Sequence, residues 1–76
     1  MKKFVIVLET GDYVQKGYPR IGSGSSSLGM TCRLEQARTF ACRSVAEELI
    51  EPIREYFGLK SSVFSEEFMK INQAEQ

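Results

Sequence analysis

The stretch Ser44-Val-Ala-Glu-Glu-Leu-Ile-Glu-Pro-Ile-Arg-Glu-Tyr-Phe-Gly-Leu59 contains the clearest structural signal in the chain. Gly58 followed by Leu59 is typical of a left-handed helix end with an apolar residue after it. Pro52 lacks an amide hydrogen, and its ring clashes with the preceding turn, so a kink or a break is expected there. The apolar stripe continues past Pro52 and favours the kink. One amphipathic helix is therefore predicted, and its stripe is Val45, Ala46, Leu49, Ile50, Ile53, Tyr56 and Phe57.

The start of this helix has the pattern of a capping box, Ser44-Val45-Ala46-Glu47. In such a box the serine hydroxyl accepts a hydrogen bond from the glutamate amide, and the carboxylate reaches back to the serine amide. The sequence therefore predicts that the helix begins at Ser44.

Upstream of the helix, the residues Phe4 to Leu8 are rich in β-branched side chains and predict a strand. Turn residues at 10–12 precede Tyr13-Val14-Gln15, which indicates an antiparallel hairpin. Phe4, Ile6 and Leu8 would share one face of the strand. Val5 and Val7 would make the other face apolar as well, which favours a strand covered on both faces or one covered by a partner.

Residues 16–31 contain four glycines and four serines and predict a flexible Gly/Ser-rich loop. After it, residues 34–37 predict a short helical turn, and residues 39–41 predict a third short strand. Residues 62–71 fit either a helix or a returning strand, and we predict the strand. The polar tail, residues 72–76, is expected to fray.

Together these elements predict the α+β class: a small, mainly antiparallel sheet of three or four strands with one kinked helix packed on one face, in the order β-β-β-α-β. The predicted core is Phe4, Ile6, Leu8, Val14, Ala37, Phe40, Val45, Leu49, Ile50, Ile53, Phe57 and Phe68.

Length and composition set the outer limits of the interpretation. A chain of 76 residues, 42% of them hydrophobic, suits one domain spanning 1–76 and has no apolar run long enough for a membrane span. The apolar run at residues 4–8 is too short for a signal peptide, so a cytoplasmic protein is expected. Ten basic and ten acidic residues cancel, although the first 43 residues are net basic and the remainder net acidic.

Motifs for catalysis or for a cofactor are incomplete. The segment from Gly24 to Thr31 has the glycine spacing of a phosphate-binding loop, but Met30 stands where that loop needs lysine. Gly22-Ser-Gly24 lacks the third glycine of a dinucleotide fingerprint, because Ser27 occupies its position. The chain contains no histidine, the commonest general base. We therefore predict no enzyme and no cofactor, with a small enzyme as the least favoured alternative.

The cysteines and the acidic helix face do not indicate a metal site. Cys32 and Cys42 fit neither a zinc nor a redox spacing, and two reduced thiols are favoured over one disulfide. The carboxylates of Glu47, Glu48, Glu51 and Glu55 would lie on one helix face, where a solvated surface is favoured over a divalent-ion site. No metal is therefore predicted.

Two groups of residues are candidates for an interaction surface. Tyr13, Lys16, Tyr18 and Arg20 combine aromatic rings with cations, as surfaces that stack single-stranded nucleic acid do. The apolar second face formed by Val5 and Val7 instead suits a protein partner or a second copy. Balanced charge disfavours nucleic acid, so a homodimer or another protein contact is the leading prediction.

The chain resembles small phage and prophage proteins of Gram-positive bacteria. The resemblance covers residues 4–57 and rests on a hairpin, an acidic turn with an Ala-Arg-Thr-Phe-like strand, and a capped helix start, which are Phe4-Val5-Ile6, Gly11-Asp12-Tyr13-Val14, Leu34-Glu35-Gln36-Ala37-Arg38-Thr39-Phe40 and Ser44-Val45-Ala46. The Ser/Gly-rich loop and Pro52 depart from that pattern. The resemblance implies no particular activity, and no functional residue is carried over from it. The function predicted from the sequence is thus a non-catalytic accessory protein that acts by protein contact.

Overall fold

The computed structural model describes residues 2–22 and 24–74. Its elements follow in the order β1 (Phe4–Leu8), β2 (Tyr13–Val14), β3 (Arg20–Gly22), β4 (Ser25–Ser27), β5 (Met30–Thr31), a 3-10 turn (Leu34–Gln36), α1 (Arg43–Glu47), α2 (Ile50–Phe57), β6 (Ser61–Ser65) and α3 (Glu66–Ala74).

The main sheet is antiparallel and has four strands in the order β5-β2-β1-β6. Strand β1 pairs with β6 along its whole length, from Phe4 opposite Ser65 to Leu8 opposite Ser61. On its other side β1 meets β2 through the predicted hairpin, with Val7 opposite Tyr13. The predicted α+β class, with an antiparallel sheet and one bent helix over 43–57, is confirmed.

The segment 36–40 forms backbone hydrogen bonds with both β1 and the end of β2, where these two strands diverge. On the β1 side, Phe4 and Phe40 exchange both backbone hydrogen bonds at 2.8 Å. On the β2 side, the amide of Arg38 donates to the carbonyl of Val14 and the amide of Lys16 donates to the carbonyl of Gln36. The predicted third strand at 39–41 is therefore reduced to a bridge at Phe40, because the segment has to serve two diverging partners.

Both faces of the sheet are covered by the chain itself. Under α1 and α2 lies one cluster of buried side chains, formed by Ile6, Leu8, Val14, Phe40, Ala46 and Ile53. On the opposite face the 3-10 turn and α3 cover a second cluster, formed by Val5, Tyr13, Leu34 and Ala37, with Val7 and Met69 packed against it. The apolar second face of β1 is thus part of the core.

The helix begins at Arg43, with Cys42 as its N-cap and no side-chain hydrogen bond to the cap. The predicted capping box at Ser44 is wrong, because the Glu47 carboxylate accepts from the Arg43 guanidinium at 2.8 Å instead of from a backbone amide. Because the helix starts at Arg43, Ala46 points into the core and Val45 is 47% exposed. The prediction that Val45 is a core residue is therefore wrong.

The substitution Ser44→Ala should change the free energy of unfolding by no more than about 0.5 kcal/mol, because the hydroxyl of this exposed residue caps nothing. Urea denaturation of the variant and the parent checks this value. A loss above about 1 kcal/mol would show that Ser44 caps the helix after all.

The bend in the helix lies just before Pro52. Residues 48 and 49 form a turn between α1 and α2, and Pro52 then lies in the first turn of α2. Amides of a first turn have no acceptor within the helix, so the missing amide of proline is tolerated there. Gly58 ends α2 in the left-handed conformation with φ of 68°, and its amide donates to the carbonyl of Arg54. The predicted helix end is confirmed.

Residues 16–31, predicted as a flexible Gly/Ser-rich loop, contain three short strands. Strands β3 and β4 pair as a separate two-stranded hairpin, with Arg20 opposite Ser27, and β5 pairs with β2. Glycine at position 24 has φ of 100° and lies in the hairpin turn, a conformation that L side chains rarely adopt. The carbonyl of Tyr18, which lies before β3, accepts a hydrogen bond from the Arg38 guanidinium at 2.9 Å. This bond attaches the start of residues 16–31 to the segment that follows the 3-10 turn.

The C-terminal segment contains both a strand and a helix. The strand β6 ends at Ser65, whose hydroxyl accepts from the amide of Phe68 at 3.1 Å and caps α3. The strand predicted for 62–71 is therefore correct only as far as residue 65. The ring of Phe68, predicted in the core, is 51% exposed. Of the tail predicted to fray, residues 72–74 belong to α3 and residues 75–76 lie outside the described residues.

Candidate functional site

The residues predicted to form an interaction surface do not form a single one. Val5 is fully buried and Tyr13 is 4% exposed, so neither is available to a partner in the folded chain. Tyr18 is half-buried, and the Arg20 guanidinium lies 5.6 Å from the centre of its ring. Val7 packs partly against the core, which leaves Lys16 and Arg20 as the exposed members of the set.

The near-match to a phosphate-binding loop has the wrong local structure. Its residues form the turn at Gly24, β4, two connecting residues and β5, and the next helical element is the 3-10 turn. A phosphate cradle needs a helix N-terminus directly after the glycine-rich loop. This segment therefore lacks the geometry of a phosphate-binding loop.

The cysteines and the acidic helix face carry no assembled site within residues 2–22 and 24–74. Cys32 and Cys42 are free and exposed. Glu47 pairs with Arg43 and Glu51 pairs with Arg54, each at 2.8 Å. The described residues contain no group of three potential metal ligands. The acidic face is consistent with a solvated helix surface.

The outer edge of β6 is the feature with the clearest capacity for binding. The amide of Glu9 donates to the carbonyl of Lys60 at 2.8 Å, and the amide of Glu66 donates to the carbonyl of Lys3 at 2.7 Å. Because bonding alternates along a strand, this register directs the backbone groups of Ser61 and Val63 away from β1. In the described part of the chain β6 is the last strand of the sheet, so these groups face outward.

This edge lacks two of the devices that protect natural edges, proline and charged side chains. Its sequence, Ser-Ser-Val-Phe-Ser over 61–65, contains neither proline nor a charged residue. The opposite edge of the sheet, β5, is only two residues long. The strand β6 is therefore the edge best able to accept a further strand.

An exposed apolar ridge runs beside the edge. The rings of Phe64 and Phe68 stack with 5.8 Å between their centroids and 10° between their planes. They are 37% and 51% exposed, and Ile71, one helical turn after Phe68, is 57% exposed. Three large apolar side chains exposed together, rather than singly, are typical of a contact surface.

Two clefts flank the edge. A cleft of about 540 Å³ lies at the Ser65 end of β6 and is lined by Lys2, Phe4, Arg43, Val63, Phe64, Ser65 and Phe68. Another of about 210 Å³ lies at the Ser61 end and is lined by Val7, Leu8, Glu9, Lys60, Ser61, Ser62 and Phe64. Consecutive strand residues point to opposite faces, so a cleft lined by both Val63 and Phe64 lies across the edge itself.

The prediction from the sequence did not include this edge. It placed Phe68 in the core and did not separate a strand at 61–65 from a helix at 66–74. The available signal was Ser65-Glu66-Glu67, a serine N-cap followed by acidic residues in the first helical turn. That signal ends the strand at Ser65 and moves Phe68 onto a helix.

No family model, curated protein sequence or solved structure matches this chain. Within the described residues, no helix has the length and apolar character needed to cross a membrane. The resemblance to phage proteins stays a prediction.

Proposed function

We propose that this protein is a non-catalytic domain that acts by protein contact, and that it binds an extended protein segment at the outer edge of β6. The observation that carries the proposal is the outward row of backbone groups at Ser61 and Val63 beside the stacked rings of Phe64 and Phe68. An added strand would bond to the row and cover the rings.

The physical basis is β-strand addition. Main-chain hydrogen bonds to an open edge supply affinity, while apolar contacts at alternate residues of the added strand supply specificity. The stacked rings offer such contacts on the face that carries α3. The larger cleft, at the Ser65 end, adds an apolar wall that ends at the cations Lys2 and Arg43.

The alternatives have less support. Nucleic acid binding would need Tyr13 and Tyr18 as a stacking platform, and Tyr13 is buried. A chain without histidine offers fewer means of acid–base catalysis, which supports the proposal of a non-catalytic domain. Two free, exposed thiols support the proposed location in the reducing cytoplasm. Self-association, predicted from Val5 and Val7, needs a different surface because Val5 is buried.

A selection from a random peptide library on the parent protein tests the proposal. We expect binders with alternating apolar residues, and we expect their amide chemical-shift changes in the labelled protein to cluster at residues 60–71. The substitution Phe68→Lys should weaken binding at least about tenfold. Tyr56→Lys is the matched control, because Tyr56 is a 58%-exposed aromatic residue on α2, and it should leave binding unchanged.

Binders that shift residues on other elements, or that tolerate Phe68→Lys as well as Tyr56→Lys, would contradict the proposal.

A further inference from the structure

We infer that the segment bound at the β6 edge is the β6 strand of a second copy of this chain, paired antiparallel about a two-fold axis at Val63. This inference rests on the proposed function and names its partner. The strand is self-complementary in length and in packing, which select this register, and the charges of its two ends favour the antiparallel orientation.

The first property is the overlap of the two strands. In an antiparallel pair, residues with outward backbone groups must face each other. With Val63 on the two-fold axis, Ser61 lies opposite Ser65 of the second copy, and all five residues of β6 are paired. A shift of the axis to Ser62 or to Phe64 keeps the bonding pattern but leaves residues at the strand ends without a partner.

The second property is packing on the face that carries α3. In this register Phe64 lies opposite Ser62 of the second copy, in a pair without backbone hydrogen bonds, where the Cα atoms approach to about 4.5 Å. A serine leaves room for the ring. The cleft at the Ser61 end opens at this place, between Val7, Ser62 and Phe64. Each Phe64 ring therefore enters the cleft of the other copy and covers its half-buried Val7.

The third property is charge. The charged residues that line the cleft at the Ser65 end are Lys2 and Arg43, both cations. At the Ser61 end the cleft has the Glu9 carboxylate beside Lys60. Antiparallel pairing brings Lys2 and Arg43 of one copy, the latter also paired with its own Glu47, to the end of the other copy that carries the Glu9 carboxylate. Parallel pairing would instead place the two cation pairs together, so the charges favour the antiparallel arrangement.

Disulfide trapping reads this register directly. In a Cys32→Ser, Cys42→Ser background, the variants Ser62→Cys and Phe64→Cys are prepared separately and oxidised alone or mixed. We expect the mixture to form a disulfide-linked heterodimer at least about tenfold faster than either variant forms a homodimer. In the inferred register, residue 62 faces residue 64 of the other copy. It lies too far from residue 62 of that copy for a disulfide to form.

Because Phe64→Cys removes a contact ring, a second pair of variants, Lys60→Cys and Glu66→Cys, has the same register relation and keeps that ring. Rapid homodimer formation by Ser62→Cys alone would place the axis at Ser62, and rapid homodimer formation by Phe64→Cys alone would place it at Phe64. Either result would overturn the inferred register. No trapping by either pair, with peptide binding at β6 retained, would overturn the second copy as partner and leave the proposed function standing. If neither disulfide trapping nor peptide binding at β6 is observed, both the inferred partner and the proposed function are overturned.

Discussion

Replacement of Ile53 by alanine should lower the free energy of unfolding by about 2–5 kcal/mol. Ile53 is fully buried on α2 and is one of the largest side chains of the cluster that joins the bent helix to the sheet. Truncation removes buried methylene groups and leaves a cavity that the neighbouring β-branched and aromatic side chains fill only in part. Small domains are stable by only about 5–15 kcal/mol, so the loss is a large part of the total.

Urea denaturation followed by circular dichroism measures this loss, with Tyr56→Ala as the control on the same helix. Tyr56 is 58% exposed, and its truncation should change the free energy of unfolding by less than about 1 kcal/mol. Equal effects of the two substitutions would show that α2 does not pack through Ile53.

The substitution Val5→Lys should unfold the domain, with a loss of about 4 kcal/mol or more. Val5 has no exposed surface and packs with Tyr13, Leu34 and Ala37. A lysine at this position would bury an ammonium group away from water without a partner in the cluster. The sequence alone left two possibilities open for this face, cover by the chain itself and cover by a second copy.

Phe68→Lys is the contrasting variant, because the Phe68 ring is half exposed and a lysine there stays in water. Thermal melts should show a cooperative transition for Phe68→Lys and none for Val5→Lys. A Val5→Lys protein that melts at the temperature of the parent would mean that the second face of β1 is open in solution.

Elements defined by their own residues were predicted correctly. The apolar run of β1, the amphipathic pattern of α2 and the Gly58 end are local signals that agree with the structure, although Tyr56 of the predicted stripe is 58% exposed. The capping box was also a local signal, but an Arg43–Glu47 ion pair in the first turn displaced it. The local pattern thus predicted the presence of the helix correctly, but it did not predict the residue at which the helix begins.

The features that depend on distant segments were left open or missed. The cover over Val5 comes from the 3-10 turn and from α3, which follow β1 by some thirty and sixty residues. The β3–β4 hairpin consists mainly of exposed serine and glycine, so no apolar periodicity marks it. The open edge of β6 depends on the order of strands in the sheet, which strand-by-strand patterns do not contain. The candidate site was therefore not predictable from the sequence, although its aromatic residues were visible there.

The most direct test of the proposed pairing is the hydrogen-exchange rate of the Val63 amide, measured at protein concentrations from tens to hundreds of micromolar. The Phe64 amide serves as the internal reference. The register directs this amide toward β1 of the same chain, whether or not a second copy is bound. We predict that exchange at Val63 slows as the concentration rises, while exchange at Phe64 stays slow at every concentration. Fast exchange at Val63 that does not change with concentration would contradict the pairing of β6 with a second copy.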